Sequence, residues 1–224
     1  MLTVEVGGVA LALLAERAAF LPDAGALLVA DAHLGKAASF RRLGVPVPEG
    51  TTAGALARLS SALERTGARQ LVFLGDLLHS AHGRAAGTLD AVRRWRARHA
   101  AVAMTLVRGN HDDRAGDPPA DWDMRCVDAP FTLHGIAGLA LGHEPQPLDG
   151  AYLIAGHVHP AAVVAGRRGE RLRLPCFHFG ARLGILPAFG EFTGSHVLPR
   201  NGGERVFVVA GDTVRELPAP RCAA

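Results

Sequence analysis

The sequence predicts an α/β fold in which a sheet with helices against it is followed by a second sheet. Apolar runs alternate with stretches of helical periodicity as far as the segment Gly109-Asn110-His111. After residue 115 the chain changes to short strand-like runs separated by Gly, Pro and Asn. With 224 residues, 49% of them hydrophobic, the chain is long and apolar enough to bury a sizeable core.

In the first half, strands and helices alternate. Leu2–Val6 and Val9–Leu13 flank Gly7-Gly8, which indicates a hairpin with a two-residue turn. Apolar runs that end at polar residues predict three further strands, at Ala26–Ala30, 70–75 and 102–107. Apolar residues at helical spacing predict two helices, at Thr51–Thr66 and 85–100. Thr51 or Thr52 is expected to cap the first of these helices, and Gly67 to end it.

The second half predicts a mostly antiparallel sheet packed on the first, within one domain. Its strands are short apolar runs, at 139–142, Tyr152–Ala155, 161–165, 171–175 and 206–210. No long helix is expected after residue 115. The domain is expected to span residues 1–216, and residues 217–224 to form a loose tail.

Composition excludes several classes of protein. The cysteines (Cys126, Cys176 and Cys222) form no CxxC pair, so neither a disulfide framework nor a zinc knuckle is expected, and a reducing cytoplasm fits. No apolar run approaches the roughly 18–20 residues of a membrane span. The apolar stretch 6–15 lacks a basic flank and contains a Gly-Gly turn, unlike a signal peptide. A net charge of +3 is too small to indicate a nucleic-acid partner by itself.

The eleven histidines are about twice as many as a chain of this size usually has. Many stand in Gly-containing turns directly after an apolar strand. The motifs are Asp31-Ala-His33, Gly75-Asp76-Leu-Leu-His79, Gly109-Asn110-His111-Asp112, Gly142-His143 and Gly156-His157-Val-His159. Any one of them alone would be read as an ordinary turn or surface residue, and His82, His99, His134, His178 and His196 keep that interpretation.

Five such motifs in order predict a single metal site, because loops at the ends of neighbouring strands converge. The expected ligands are Asp31, His33, Asp76, Asn110, His143, His157 and His159. Carboxylate, imidazole and amide donors together suit two divalent first-row ions, with Mn²⁺ as the first expectation and Fe²⁺ or Zn²⁺ as alternatives. Asp76 is the natural bridge, since its two oxygens can each reach one ion.

The motif order D-x-H, G-D-x-x-H, G-N-H-D, G-H and G-H-x-H resembles that of the calcineurin-like metallophosphoesterase superfamily, over nearly the whole chain. The resemblance implies a four-layer α/β/β/α sandwich with the metal site between loops at one end. Carried over by position, it assigns two ligand sets. One ion would bind Asp31, His33, Asp76 and His159, and the other Asp76, Asn110, His143 and His157.

Two longer segments carry a narrower resemblance. Residues 31–48 followed by Thr51-Thr52, and residues 186–194 (LPAFGEFTG), are similar to the bacterial ligase-associated DNA-repair phosphoesterases of the PdeM type. This resemblance implies an endonuclease that acts on DNA, single-stranded or damaged. It also implies an ATP-dependent DNA ligase and a DEXH-box helicase as partners.

The chemistry expected of such a site is hydrolysis of a phosphodiester by a hydroxide that bridges the two ions. His111 is expected to protonate the leaving group. Phosphomonoesterases of the superfamily commonly have G-D-x-x-D followed by Arg, where this chain has His79 and Ser80. The missing arginine clamp favours diesters over monoesters. His79 either supports a ligand, contacts substrate or only packs.

Basic residues are almost all arginine, since Lys36 is the single lysine. Lys36, Arg41 and Arg42 are the expected phosphate-binding residues, because they follow the first metal loop. Two other clusters are read either as a DNA track or as a solvated face of an arginine-rich protein. They comprise Arg84, Arg93, Arg94, Arg96 and Arg98, and Arg167, Arg168, Arg171 and Arg173. Phe40, Phe189 and Phe192 are candidates for base stacking or for the core.

The sequence therefore predicts a cytoplasmic, metal-dependent phosphodiesterase or nuclease of DNA repair. Two alternatives stay open. One is a phosphoesterase for small molecules, such as cyclic nucleotides, nucleotide polyphosphates or phosphomonoesters. The other is a repair-complex subunit with little catalysis, which the complete set of expected ligands disfavours.

Overall fold

The computed structural model describes residues 1–42, 44–45, 47, 50–80, 84–166 and 169–219. Within these ranges the chain forms two large β-sheets flanked by helices, as the α/β prediction requires. The strands of the first sheet are β1 (Leu2–Val6), β2 (Val9–Leu13), β3 (Ala19–Leu21), β4 (Ala26–Ala30), β5 (Gln70–Leu74), β6 (Ala103–Val107) and β7 (Met124–Val127).

The strands of the first sheet lie side by side in chain order, from β1 to β7. β1 to β4 pair antiparallel, starting with the predicted hairpin, in which Val6 lies opposite Val9. β4 to β7 pair in parallel. The carboxyl ends of β4, β5 and β6 therefore meet at one edge of the sheet, where ligand-binding loops are usual in α/β folds.

The second sheet contains the later strands. They are β8 (Leu139–Leu141), β9 (Tyr152–Ala155), β10 (Pro160–Ala165), β11 (Arg171–Phe179), β12 (Leu183–Ile185), β13 (His196–Val197), β14 (Arg205–Ala210) and β15 (Thr213–Glu216). Four of its pairings are antiparallel and three are parallel, so the sheet is more mixed than predicted. The parallel pair β8–β9 matters most, because both strands end beside the candidate site.

Two cores hold the layers together. Between the sheets, Leu28, Val72 and Val107 pack with residues of the second sheet such as Ile154 and Phe207. A second core lies between the first sheet and the helices. Its buried side chains come from two sources. The helices contribute Leu56, Leu59, Leu63, Val92 and Trp95, and the outer face of the first sheet contributes Leu27, Val29, Leu71, Phe73 and Leu106.

The described residues form four α-helices, which are α1 (Lys36–Arg42), α2 (Thr51–Thr66), α3 (Ala86–Arg98) and α4 (Asn110–Ala115). α2 ends at Gly67 as predicted, but its N-cap is Gly50 rather than a threonine, and no side chain caps it. The N-cap lies one residue before Thr51, because the Gly50 carbonyl already accepts a helical hydrogen bond from the Gly54 N–H, at 2.8 Å. The described residues contain no α-helix after Ala115.

At the carboxyl end, Leu217 still donates a backbone hydrogen bond to Val206, at 2.8 Å. The last part of the expected tail, residues 220–224, lies outside the described residues. In the described part of the chain the two cysteines, Cys126 and Cys176, are free, and no helix is long and apolar enough to cross a membrane.

Candidate metal centre

All seven predicted metal ligands lie at the same edge of the two sheets, six of them in loops and Asn110 at the start of α4. Each of the strands that precede them pairs in parallel with at least one neighbour, so the ends of the strands converge. The strand ends and the residues that follow them are Ala30 with Asp31, Leu74 with Asp76, Val107 with Asn110, Leu141 with His143, and Ala155 with His157. His33 and His159 follow two residues after a ligand of the same loop.

The backbone is strained at most of these positions. Five of the predicted ligands have a positive φ angle: Asp31 (53°), His33 (43°), Asp76 (53°), His157 (71°) and His159 (52°). For residues other than glycine this region costs about 1–3 kcal/mol each, and it persists only where the surroundings impose it. Such a concentration of strain in one cluster is typical of a functional site.

Three glycines allow the loops to approach one another. A Cβ atom on Gly75 would lie 2.1 Å from Nδ1 of His143, and one on Gly109 would lie 2.8 Å from the same ring. A Cβ atom on Gly156 would lie 2.6 Å from Oδ2 of Asp31. Atoms do not approach this closely, so any side chain at these positions would displace a predicted ligand.

Two carboxylates lie at the centre of the cluster. Asp31 is fully buried and Asp76 is 3% exposed. Imidazole nitrogens surround them: Nε2 of His143 is 3.4 Å from Oδ1 of Asp76, and Nε2 of His159 is 3.6 Å from Oδ1 of Asp31. Nε2 of His33 is 3.7 Å from Oδ2 of Asp76. Buried carboxylates need a nearby positive charge, because desolvation strongly disfavours the bare anions.

His143 shows which kind of positive charge fits. Its Nδ1 lies 3.0 Å from the Leu74 carbonyl, so this nitrogen carries the proton and donates. Its Nε2 faces Oδ1 of Asn110 at 2.9 Å and Nδ1 of His157 at 3.0 Å, besides Oδ1 of Asp76. A cation between these donors would satisfy all of them at once, and a carbonyl that orients a histidine is usual at metal sites.

His159 has the same arrangement at the other end of the cluster. Its Nδ1 donates to the Gly194 carbonyl at 3.0 Å, and its Nε2 faces Asp31 and Nε2 of His33, the latter at 3.3 Å. Burial lowers the pKa of His159, but the hydrogen bond and charge of Asp31 outweigh burial and leave the pKa raised. Burial, with the charge of Lys36, lowers the pKa of His33 to about 2. His33 is therefore neutral and able to act as a ligand.

Asp112 positions the ligands, a role that the sequence analysis did not assign. Its buried carboxylate accepts from the backbone N–H groups of Asp76 at 2.7 Å, Leu77 at 3.0 Å and Gly109 at 2.9 Å. It thereby ties the loop after β5 to the loop that carries Asn110. The pattern G-N-H-D already contained this residue, but its partners are backbone atoms of a distant loop and cannot be read from the motif.

His79 and His111 form a pair beside the ligands. Their rings stack at 5.4 Å, and Nδ1 of His111 donates to the His79 carbonyl at 2.7 Å. The Nε2 atom of His111 points toward the cluster, 3.9 Å from Oδ2 of Asp76. Burial and the nearby Lys36 lower the pKa of His79 to about 4. With His33, these two histidines form a further group of donor atoms within 4.8 Å of one another.

Lys36, one of the expected phosphate-binding residues, interacts electrostatically with the carboxylates of the cluster. Burial lowers its pKa, and the carboxylates of Asp76 and Asp31 counteract that effect. Arg41 is exposed on α1, and the side chain of Arg42 lies outside the described residues.

The arginines around α3 are mostly engaged in internal contacts. Arg93 pairs with Asp90 and Asp121, and Arg96 donates to the Trp122 carbonyl at 2.8 Å. Elsewhere, Arg167, Arg168 and His82 lie outside the described residues.

Comparison with known proteins identifies the class. No protein-family model and no curated protein matches the chain. Among solved structures, the Pseudomonas putida nuclease MPE matches 96% of this chain and 99% of its own, at 44% identity and a TM-score of 0.83. Yfce, a phosphoesterase from E. coli, matches 84% of this chain and 90% of its own, at 18% identity and a TM-score of 0.40.

The match at 44% identity extends over nearly the whole of both chains, and the fold and site described above agree with it. The chain belongs to the metallophosphoesterase superfamily. Within that superfamily it is similar to a nuclease, the Pseudomonas putida enzyme MPE.

Proposed function

We propose that the protein is a phosphodiesterase that depends on two divalent metal ions and acts as a nuclease on DNA. One observation carries the proposal: two buried carboxylates and several imidazoles converge, and the ligand atoms of each group lie within 4.8 Å of one another. The similarity to a nuclease supports the choice of a nucleic-acid diester as substrate.

Two of the donor groups share one carboxylate, that of Asp31. Asp31, His33 and His159 form one group, and Asp31, Asp76 and His143 form another. We assign Asp76 as the bridge, with Asn110 and His157 completing the second set. The mixed carboxylate, imidazole and amide donors suit Mn²⁺, with Fe²⁺ or Zn²⁺ as alternatives. Two such ions lower the pKa of a shared water and neutralise phosphoryl oxygens.

We assign His111 as the proton donor to the leaving alkoxide. The His79 carbonyl holds its Nδ1–H, and the hydrogen bond from the His111 N–H to Oδ1 of Asp76, at 3.0 Å, fixes its backbone. Its Nε2 is then aimed at the site, where the imidazolium form can release a proton. Its side chain is about one-third exposed (32%), so solvent can return the proton.

The residues around His79 support diesters over monoesters. Ser80 occupies the position of the arginine in related monoesterases. Its Oγ forms a hydrogen bond with Oγ of Ser39, at 3.2 Å. Arg84 donates to the carbonyls of Ala115 and Asp117, at 3.1 and 2.9 Å, and is therefore not free to clamp a dianionic phosphate. A diester carries one negative charge fewer than a monoester dianion. We propose that Lys36, with Arg41 and Arg42 from α1, binds this single negative charge.

One observation favours a second candidate, a phosphoesterase for small nucleotides. A cavity of about 300 Å³ adjoins Asn110 and His143, and Leu148 and Leu153 give it an apolar wall. A single nucleobase would fit a cavity of this kind. Such an enzyme would hydrolyse a cyclic nucleotide or a nucleotide polyphosphate and leave DNA intact.

The biological setting is part of the proposal. The resemblance to ligase-associated phosphoesterases supports a role in DNA repair, with endonuclease activity on single-stranded or damaged DNA. An ATP-dependent DNA ligase and a DEXH-box helicase are the partners to test by co-purification. The free thiols of Cys126 and Cys176 support a cytoplasmic location.

The test uses purified protein of measured metal content. Its substrates are single-stranded, nicked and duplex DNA, together with bis(p-nitrophenyl) phosphate and p-nitrophenyl phosphate. We expect Mn²⁺-dependent cleavage of single-stranded DNA and of the aryl diester, and its loss in Asp76→Ala. Cleavage of small nucleotides without any cleavage of DNA would favour the second candidate. Activity that survives in Asp76→Ala would place the chemistry elsewhere.

A further inference from the structure

A groove of about 390 Å³ begins at His159 and extends away from the candidate metal centre. One wall is formed by residues of the segment 188–194, of which the site described above uses only the Gly194 carbonyl. This wall is fixed to the first metal loop, because the Phe189 N–H donates to the Ala30 carbonyl at 2.8 Å and the Gly190 N–H to the Asp31 carbonyl at 2.9 Å. The groove is therefore held at a fixed position relative to the metal ligands.

Two arginines in the groove lack partners. Arg17 lies in the turn between β2 and β3, and Arg173 is exposed on β11. In the described part of the chain neither side chain makes a hydrogen bond or an ion pair. Burial and the charge of Arg58 lower the pKa of Arg17, against a smaller opposing effect of Glu191. Glu191 is itself paired with Arg58 at 3.1 Å, so the groove keeps an excess of positive charge.

Phe192 presents an aromatic ring to solvent on the same wall. Its side chain is 49% exposed, and its φ angle of 56° is unfavourable for a bulky residue. The other two candidate stacking residues differ, since Phe189 is fully buried and Phe40 is partly buried. Strained, exposed aromatic residues beside a site are typical of ligand contacts rather than of the core.

The opposite side of the metal centre is less suited to phosphates. There Arg108 is the basic residue lining the cavity, and Asp117 and Asp128 occupy its guanidinium through hydrogen bonds of 2.8 Å. Asp113 and Glu144 add negative charge to the same cavity. Electrostatics therefore favours a polyanion on the His159 side.

We propose that this groove binds the strand of single-stranded DNA next to the scissile phosphodiester. Arg17 and Arg173 contact backbone phosphates, and an unpaired base stacks on Phe192. A stacking platform needs an open base face, which a duplex does not offer. The inference rests on the proposed function and adds a binding path for the DNA strand to it.

The experiment measures binding of a fluorescent phosphorothioate oligothymidylate, which resists hydrolysis, by anisotropy in Mn²⁺ at several salt concentrations. Arg17→Gln and Arg173→Gln should each raise Kd several-fold and reduce the slope of log Kd against log salt by about 0.7. Phe192→Ala should raise Kd about tenfold without changing that slope, and Phe192→Trp should restore binding. Arg69→Gln, the same charge change on an exposed side chain directly before β5, at the opposite end of that strand from the metal loops, is the control and should leave both quantities unchanged.

In parallel, kcat/KM is measured for an ordinary oligothymidylate and for bis(p-nitrophenyl) phosphate. The ratio of the two should fall in the groove variants by about the factor seen in Kd. If wild-type protein cleaves DNA but the groove variants match Arg69→Gln, the groove inference is wrong and the proposed function stands. If wild-type protein cleaves only the aryl diester and does not bind the oligonucleotide, the DNA function fails and the inference fails with it.

Discussion

Replacing Asp112 by asparagine should destabilise the protein although the side chain keeps its shape. The Asp112 carboxylate accepts three backbone N–H groups, two on Oδ2 and one on Oδ1. An asparagine can keep the two bonds on its carbonyl oxygen, but its NH₂ group then faces the Leu77 N–H. One buried donor left without an acceptor costs about 1–3 kcal/mol, so we expect a loss of about 2 kcal/mol. Burial raises the pKa of Asp112, so part of the gross hydrogen-bond energy is already offset by desolvation.

Asp112→Ala removes all three hydrogen bonds and should lower the free energy of unfolding by about 4 kcal/mol. This is less than the cost of three unpaired buried N–H groups, because water can enter the vacated space. The assay is urea unfolding in EDTA, followed by the fluorescence of Trp95 and Trp122. Asp113→Asn is the matched control, since the neighbouring carboxylate is exposed, and its change should stay within about 0.5 kcal/mol. If Asp112→Asn were as stable as Asp113→Asn, Asp112 would not fix the two loops as described.

Three further predictions concern catalysis, packing and pH. His111→Ala should retain its bound metal while kcat for an aryl diester falls about 10²- to 10⁴-fold; metal analysis with turnover assays checks both, and unchanged turnover would remove its role as proton donor. Gly156→Ala should weaken Mn²⁺ binding in calorimetry, because its Cβ would lie 2.6 Å from Asp31, whereas Gly54→Ala, whose Cβ meets nothing within 4 Å, should raise the thermal midpoint. Burial lowers the pKa of His178 in the folded state from its usual 6.5, so the unfolded chain binds the proton first. The contribution of His178 to the free energy of unfolding should then be fully present above about pH 6.5 and decrease below it. In urea titrations, the free energy of unfolding of His178→Gln should decrease less steeply with falling pH than that of the wild type, and equal dependence on pH would contradict this.

Much of the fold was predictable because the strands that lead to the site are buried on both faces. β4, β5 and β9 are continuous apolar runs, and each is followed by a polar residue in a glycine-containing turn. α1 was not predicted, because its seven residues contain too few turns to show an apolar period. β3, β12 and β13, which have only two or three residues each, were not predicted for the same reason.

The candidate site was predictable as a set of residues but not as an arrangement. The motifs identify residue types that follow strands, and parallel pairing brings them together. The role of Asp112 depends on N–H groups from another loop. The groove that begins at His159 is lined by Arg17, from the turn between β2 and β3, and by Arg173, from the second sheet. Contacts of this kind arise only from tertiary packing, so a single sequence does not reveal them.

Anomalous X-ray diffraction from crystals grown with Mn²⁺ tests the central claim most directly. We expect two anomalous peaks on either side of the Asp76 carboxylate, one near Asp31 and His33 and the other near Asn110 and His143. Crystals of Asp76→Ala grown in the same way should lose at least one of the peaks. A single peak in the wild-type crystals, or peaks away from these residues, would contradict a dinuclear site and the hydrolytic function built on it.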